Sequence, residues 1–241
     1  MREIDLRREF GALDNLRTRR RRGISADLTA SRAAASHVAS DSIKRCVDVI
    51  LAGGALIILS PMIMMVMAIL LLTQGRPIFV AHRRIGKHGV LFPCLKFRTM
   101  VTNGEDVLAR HLKANPELRA EWNATRKLKD DPRITPFGRL LRKNSVDEIP
   151  QLLNVLRGEM SLVGPRPIVS SEAELYGVYF TDYMKVRPGL TGLWQVSGRS
   201  DTSYGTRVEL DTRYVAERSF WGDVMIMVRT IPAVLSSRGS Y

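Results

Sequence analysis

DPRITPFGRLLRKNSVDEIPQLLNVLRGEMSLVGPRP, residues 131–167, carries three features close together. A basic segment comes first, then an adjacent acidic pair leading into an amphipathic run, then an arginine set between two prolines. The acidic pair is Asp147-Glu148. Arg139, Arg142 and Lys143 precede it, and Arg157 and Arg166 follow. Two carboxylates among so many cations point to phosphate and a divalent metal being handled together.

Ile149, Leu152, Leu153 and Leu156 recur at helical spacing, so the pattern predicts a helix over about 147–157. Pro150 belongs in a first turn, where its missing N–H costs little, which puts the start near Val146 or Asp147. Asp147 and Glu148 then stand at a helix N-terminus, which favours negative charge and can hold a phosphate. An ionised aspartate there is a competent oxygen nucleophile. Ser145 to Glu148 also fits a capping box, a purely structural device, although Pro150 argues against so early a start. Pro165 and Pro167 hold Arg166 extended, presenting a fixed guanidinium fork that suits either bidentate phosphate recognition or a structural salt bridge.

Three stretches resemble the bacterial sugar transferases, monotopic phosphoglycosyl transferases that act on polyprenyl phosphate. They are KFRTM at 96–100, the 131–167 stretch, and RPGLTGLWQVSGRS at 187–200. The resemblance covers roughly residues 41–241 and is nearest the short, rhizobial-type enzymes that initiate exopolysaccharide synthesis, down to the ending SRGSY. It implies transfer of hexose-1-phosphate from a UDP-sugar, galactose or glucose, to undecaprenyl phosphate with release of UMP. Within it Asp147 is the nucleophile that forms a phosphosugar ester, and Glu148 binds Mg²⁺, with Mn²⁺ as a substitute. Arg142 and Arg166 hold phosphate oxygens, and Lys96 and Arg98 are weaker candidates for the same task. The core motifs match, apart from Arg187 where lysine is usual before Pro-Gly. Two other classes stay open: direct attack by the lipid phosphate with Asp147 as metal ligand, and a non-enzymatic single-span basic adaptor. The adaptor leaves the dense 131–167 stretch without a purpose.

The rest of the chain is consistent with a membrane setting. A net charge of +13 over 241 residues calls for an anionic partner. Residues 1–40 read as a disordered basic arm around Arg19-Arg20-Arg21-Arg22, suited to anionic lipid on the cytoplasmic leaflet. No recognition fold follows it, which argues against nucleic acid. Cys46 and Cys94 make no paired motif, and His37, His82, His88 and His111 are scattered, so no zinc site is indicated.

Val49 to Leu72 is free of charge and as a straight helix would reach about 36 Å, enough to span a membrane. Pro61 interrupts it, however, and both flanks are basic: Lys44 and Arg45 before, Arg76, Arg83 and Arg84 after. The resemblance implies a re-entrant helix over 41–75, broken at Ser60-Pro61, with the Ser60 hydroxyl a candidate partner for the freed carbonyl. Both termini of this helix then face the cytoplasm, at the inner membrane.

Residues 77–100 read as a β-hairpin turning at Gly86 and Gly89 and delivering Lys96 and Arg98 towards the site. A charged helical insert follows over 106–127, with a helix start at Asn115-Pro116-Glu117. Trp194 suits either a base-stacking surface or the core. Residues 214–235, with Phe220 and Trp221, suit a helix at the membrane interface or ordinary packing. The fold class expected is α/β, mostly helical with a small β-hairpin, and the catalytic domain spans 76–241.

Overall fold

Helix α1, Asp41–Gln74, is 34 residues long and has a mean hydropathy of 2.8 over its most apolar window. The computed structural model describes residues 41–125, 128, 130–198 and 203–235. The basic arm read over 1–40 and the SRGSY ending lie outside the described residues. Contacts divide the chain between Val47 and Asp48, and of the first unit the described residues 41–47 form the opening of α1. The following account concerns the second unit.

Helical turns continue through Ser60-Pro61 rather than stopping there. Pro61 leaves the Ile57 carbonyl without its usual N–H donor. Ser60 Oγ donates to that carbonyl at 2.8 Å, the partnership expected of it. One side of α1 packs on the domain in two places. Ala52, Ala55 and Leu56 meet Phe92, Cys94, Leu152, Val155 and Met160. Further along, Val66 and Leu70 meet Phe97 and Leu141. The other side is bare, with Ile57, Ile58 and Leu72 75%, 78% and 85% exposed. Asp48 fixes the near end: its carboxylate accepts from Ser161 Oγ at 2.7 Å and from the Leu162 N–H at 3.1 Å.

The expected hairpin forms from β1, Phe79–Ile85, and β2, Leu91–Phe97, in antiparallel register from Phe79↔Phe97 to Ile85↔Leu91. The charged insert is the pair α2, Gly104–Ala114, and α3, Pro116–Thr125, the second starting at the proline as read. Helix α4, Pro136–Lys143, is capped by Thr135, whose hydroxyl accepts from the Gly138 N–H at 3.0 Å.

Over 147–157 the structure departs from a single helix. A 3₁₀ turn, Val146–Glu148, comes first, and α5, Gln151–Arg157, begins only after Pro150. The cause is the proline: with no N–H to donate to Val146, that carbonyl is taken instead by the Ile149 N–H at 3.2 Å.

A second small sheet was not anticipated. Strands β3, Ser161–Val163, and β4, Gly189–Thr191, pair in parallel, Ser161 with Gly189 and Val163 with Thr191. It forms because glycines let the GPRP and RPGLTG segments interlock. A Cβ on Gly189 would lie 2.1 Å from Gly164 N, and one on Gly192 2.1 Å from Gly164 O. The short helices α6, Ala173–Tyr176, α7, Phe180–Tyr183, and α8, Leu193–Val196, flank this sheet in sequence. Two longer helices close the described chain: α9, Tyr204–Glu217, and α10, Phe220–Leu235. Helix α10 leaves Phe220, Trp221, Met225, Val228 and Ile231 largely exposed while burying Ile226.

Candidate active site

The 3₁₀ turn after α4 presents the acidic pair. Ser145, just before it, is held in the left-handed region at φ 56°, ψ 18°, and its side chain makes no cap bond. The capping-box reading is therefore overturned, and a non-glycine residue in that conformation is strain of the kind stored at functional sites. Asp147 is 7% exposed and Glu148 presents a third of its side chain to solvent. Both line a large open cavity.

Strand β2 brings the first cation. Lys96 Nζ lies 2.6 Å from Glu148 Oε1 and 3.7 Å from Asp147 Oδ2. Its position is set by Asn154 of α5, which is fully buried: Oδ1 accepts from the Leu95 N–H at 3.0 Å and Nδ2 donates to the Pro93 carbonyl at 2.8 Å. Arg142, from the last turn of α4, donates from Nε to Thr99 Oγ1 at 2.8 Å. These charges act on the two carboxylates differently. Burial pushes Asp147 above the ordinary carboxylate range, and Lys96 and Arg142 only partly offset it. Burial also raises Glu148, but Lys96, Arg166 and Arg84 overcome it and hold the group below its ordinary value. Two adjacent carboxylates with divergent proton affinities suit two different roles.

Arg166 is placed by the interlocked sheet: the carbonyl of Pro165 accepts from the Gly189 N–H at 2.8 Å. Its guanidinium stands 5.6 Å from the centre of the Trp194 ring. Among the described residues no carboxylate reaches ion-pair distance of it. Trp194 is 8% exposed, and its ring carries guanidinium groups from both Arg166 and Arg207.

Arg98 also borders the cavity, yet its Nη2 donates to the carbonyls of Gln74 and Gly75, closing the end of α1. Asp131 is likewise engaged elsewhere. It grips Arg133 through both carboxylate oxygens, at 2.9 and 2.6 Å, and that segment bridges to Met100 through Ile134. Arg187 donates to the Gly158 carbonyl at 2.8 Å, a contact that closes the C-terminal end of α5.

Three residues that the sequence reading did not assign to the site also border the cavity: Arg84, Glu172 and Arg207. Glu172 lies between the two arginines, 3.7 Å from Arg84 and 3.5 Å from Arg207. The signal for Arg84 was present in the strand period. Alternation puts Val80, His82 and Arg84 on one face of β1, and register places Val80 opposite Lys96.

A hard cation fits this donor set. Glu148, backed by Asp147, offers carboxylate oxygens at the cavity wall, and Mg²⁺ commonly takes one or two carboxylates, several waters and substrate phosphates. No group of three or more His, Cys, Asp or Glu side chains suited to a metal occurs among the described residues. Any ion held here therefore relies on the substrate for part of its ligand sphere.

Residues 39–237 match the family model described as "Bacterial sugar transferase". The chain is 56% identical over 198 residues to "Exopolysaccharide production protein ExoY" of Sinorhizobium fredii, covering 82% of this chain and 88% of the relative. It is 49% identical over 199 residues to the "Undecaprenyl-phosphate galactose phosphotransferase" of Salmonella typhimurium, covering 83% of this chain and 42% of that protein. It is 36% identical over 214 residues to the "UDP-glucose:undecaprenyl-phosphate glucose-1-phosphate transferase" of Caulobacter vibrioides, covering 85% of this chain and 74% of that protein.

Proposed function

The chain belongs to the bacterial sugar transferase family, and on that premise we propose that it transfers hexose-1-phosphate from a UDP-sugar to undecaprenyl phosphate through Asp147. The carrying observation is the buried Asp147 carboxylate, beside Glu148, in a cavity lined by Lys96, Arg142, Arg84 and Arg166. A cavity this cationic suits a diphosphate.

In the first step an Asp147 carboxylate oxygen attacks the phosphorus of the sugar-linked phosphate. A new oxygen–phosphorus bond forms, the bond to the bridging oxygen breaks, and UMP leaves with the electron pair. In the second step an oxygen of the lipid phosphate attacks the same phosphorus. The bond to Asp147 breaks, releasing the lipid diphosphosugar and restoring the carboxylate. Arg142 and Arg166 orient phosphate oxygens, while Lys96, within reach of both carboxylates, offsets part of the charge they place side by side. Glu148 would hold Mg²⁺, which when bound would neutralise charge on the diphosphate. Galactose and glucose are the candidate hexoses, since relatives named for each are similar to this chain.

The lipid acceptor accounts for the apolar residues that line the cavity, among them Ala55 and Leu59 of α1 and Met227 and Ile231 of α10. Helix α1 contacts the same domain from Asp48 to Leu70, about 33 Å apart if straight. A helix tied to one domain at both ends re-enters or lies in a leaflet instead of crossing it. The bare faces of α1 and α10 supply the apolar surface, and the +13 charge suits the anionic cytoplasmic leaflet of the inner membrane.

Purified enzyme given UDP-sugar without lipid should gain the mass of one hexose phosphate on the peptide containing Asp147. Asp147→Asn should lack the adduct and lose turnover by roughly three orders of magnitude or more. No adduct in rapidly quenched samples, together with sequential kinetics, would indicate direct attack by the lipid phosphate.

A further inference from the structure

The cavity holds a second set of donors that the chemistry at Asp147 leaves unused. Arg207 is 9% exposed, and its Nε and Nη2 have no hydrogen-bond partner among the described residues. The same holds for Trp194 Nε1 and the Tyr204 hydroxyl. The three side chains form one cluster: the Arg207 guanidinium lies 5.3 Å from the Trp194 ring centre and 4.7 Å from that of Tyr204. All three border the cavity that contains Asp147.

This cluster is built and held in place. Tyr204 and Arg207 share the first turn of α9, where Ser203 Oγ accepts from the Thr206 N–H at 3.2 Å. Glu172 reaches only Nη1 of Arg207, at 3.5 Å, and leaves the other two nitrogens unmatched. Burying a guanidinium with unpaired donors is costly unless a ligand takes them. Every orphaned group on Arg207 and Trp194 is a donor, and the tyrosine hydroxyl can act as one. Among the described residues lining the cavity, Gln195 Oε1 is the one orphaned atom that can only accept, so donors predominate and the complement of this cluster is an anion rich in oxygen.

We propose that Arg207, Trp194 and Tyr204 form a second phosphate subsite, holding the phosphate that lies across the transferred phosphorus from Asp147. The inference rests on the covalent reading above. Phosphoryl transfer runs nearly in line, so the group leaving in the first step and the group attacking in the second occupy that same far side. One is the phosphate of UMP, the other the phosphate of the lipid. Arg166 links the two subsites: it lines the cavity that contains Asp147, and its guanidinium stands 5.6 Å from the Trp194 ring centre.

The test uses the full chain in lipid nanodiscs with Mg²⁺. UMP binding is measured calorimetrically, and KM is measured for a polyprenyl phosphate of defined length. Arg207→Gln should weaken UMP, the lipid phosphate, or both by tenfold or more, and whichever moves identifies the occupant. Tyr204→Phe, lacking one hydroxyl, should act in the same direction by several-fold and decides the matter if Arg207→Gln fails to fold. Unchanged UMP binding and unchanged lipid KM in the folded variants overturn the subsite. The Asp147 adduct in wild type is read separately. Its presence with unaltered variants sinks this inference alone. Its absence with weakened UMP binding in Arg207→Gln sinks the covalent step and leaves the phosphate subsite standing.

Discussion

Lys96 Nζ sits 2.6 Å from Glu148 Oε1, 52 residues away in the chain, and reaches Asp147 Oδ2 at 3.7 Å. One ammonium thus serves two neighbouring carboxylates. Lys96→Met should lower kcat by about 100-fold or more, because two adjacent carboxylates then repel each other and the incoming diphosphate gains no compensating charge. Lys96→Arg should recover part of the loss. Steady-state rates with saturating UDP-sugar would check this, and a Lys96→Met enzyme as fast as wild type would remove the lysine from the site.

Activity should require Mg²⁺ or Mn²⁺. Exhaustive EDTA treatment should abolish it and added Mg²⁺ restore it, while Zn²⁺ substitutes poorly at an oxygen donor set. Glu148→Gln should raise the Mg²⁺ concentration needed for half-maximal activity. Full turnover after chelation would take the metal role from Glu148.

Asp48 secures α1 to β3 through two hydrogen bonds. Asp48→Ala orphans a buried hydroxyl and a backbone N–H, at about 1–3 kcal/mol each. Thermal unfolding in nanodiscs should show a loss of about 2–6 kcal/mol in total, with a smaller loss for Asp48→Asn, which keeps one acceptor. Equal stability of Asp48→Ala and wild type would mean α1 is held by its apolar contacts alone.

Gly189→Ala puts a Cβ 2.1 Å from Gly164 N and 2.3 Å from Thr191 O, both backbone atoms with no room to yield. The expected cost is about 3 kcal/mol or failure to fold, with Arg166 displaced and activity lost. Gly53→Ala in α1 is the contrast, since an added Cβ there meets nothing within 4 Å. It should be neutral or stabilising by up to about 1 kcal/mol. Matching unfolding temperatures for the two variants would contradict the interlocked packing.

Burial pushes Asp211 up to about 7, against the pull of the Tyr176 hydroxyl, which donates to it at 2.7 Å, and of Arg207. A carboxyl whose folded pKa is raised binds its proton more tightly in the folded state than in the unfolded one. Stability should therefore fall as pH rises from about 4 to about 7 and then level off. Asp211→Asn keeps an acceptor for Tyr176 and lacks the ionisation. Its stability relative to wild type should rise over that interval, by at most on the order of 4 kcal/mol. Parallel unfolding curves for the two proteins across pH would refute the shift.

Much of the fold was legible because its signals are local. The β1–β2 hairpin follows from a Gly86/Gly89 turn between short apolar runs, and α3 begins at Pro116 because proline tolerates a first turn. Ser60 partners the Ile57 carbonyl for an equally local reason. The 147–157 helix was misread because apolar spacing does not register that Pro150 has no N–H for the Val146 carbonyl. Strands β3 and β4 were too short for any alternation to show, and their pairing depends on three glycines meeting across the chain.

The sequence by itself determined the adjacent carboxylates Asp147-Glu148, the extended Arg166 between its prolines and the apolar length of α1. Each is a property of neighbouring residues, written in backbone stereochemistry and hydropathy. Only the tertiary structure decided which cations meet the carboxylates. It turned Lys96 towards Glu148, committed an amino group of Arg98 to the end of α1, and gathered Arg84, Glu172 and Arg207 at one cavity. Charge pairing acts over a few ångströms of space, whatever the separation along the chain, so it leaves no period in the sequence to read.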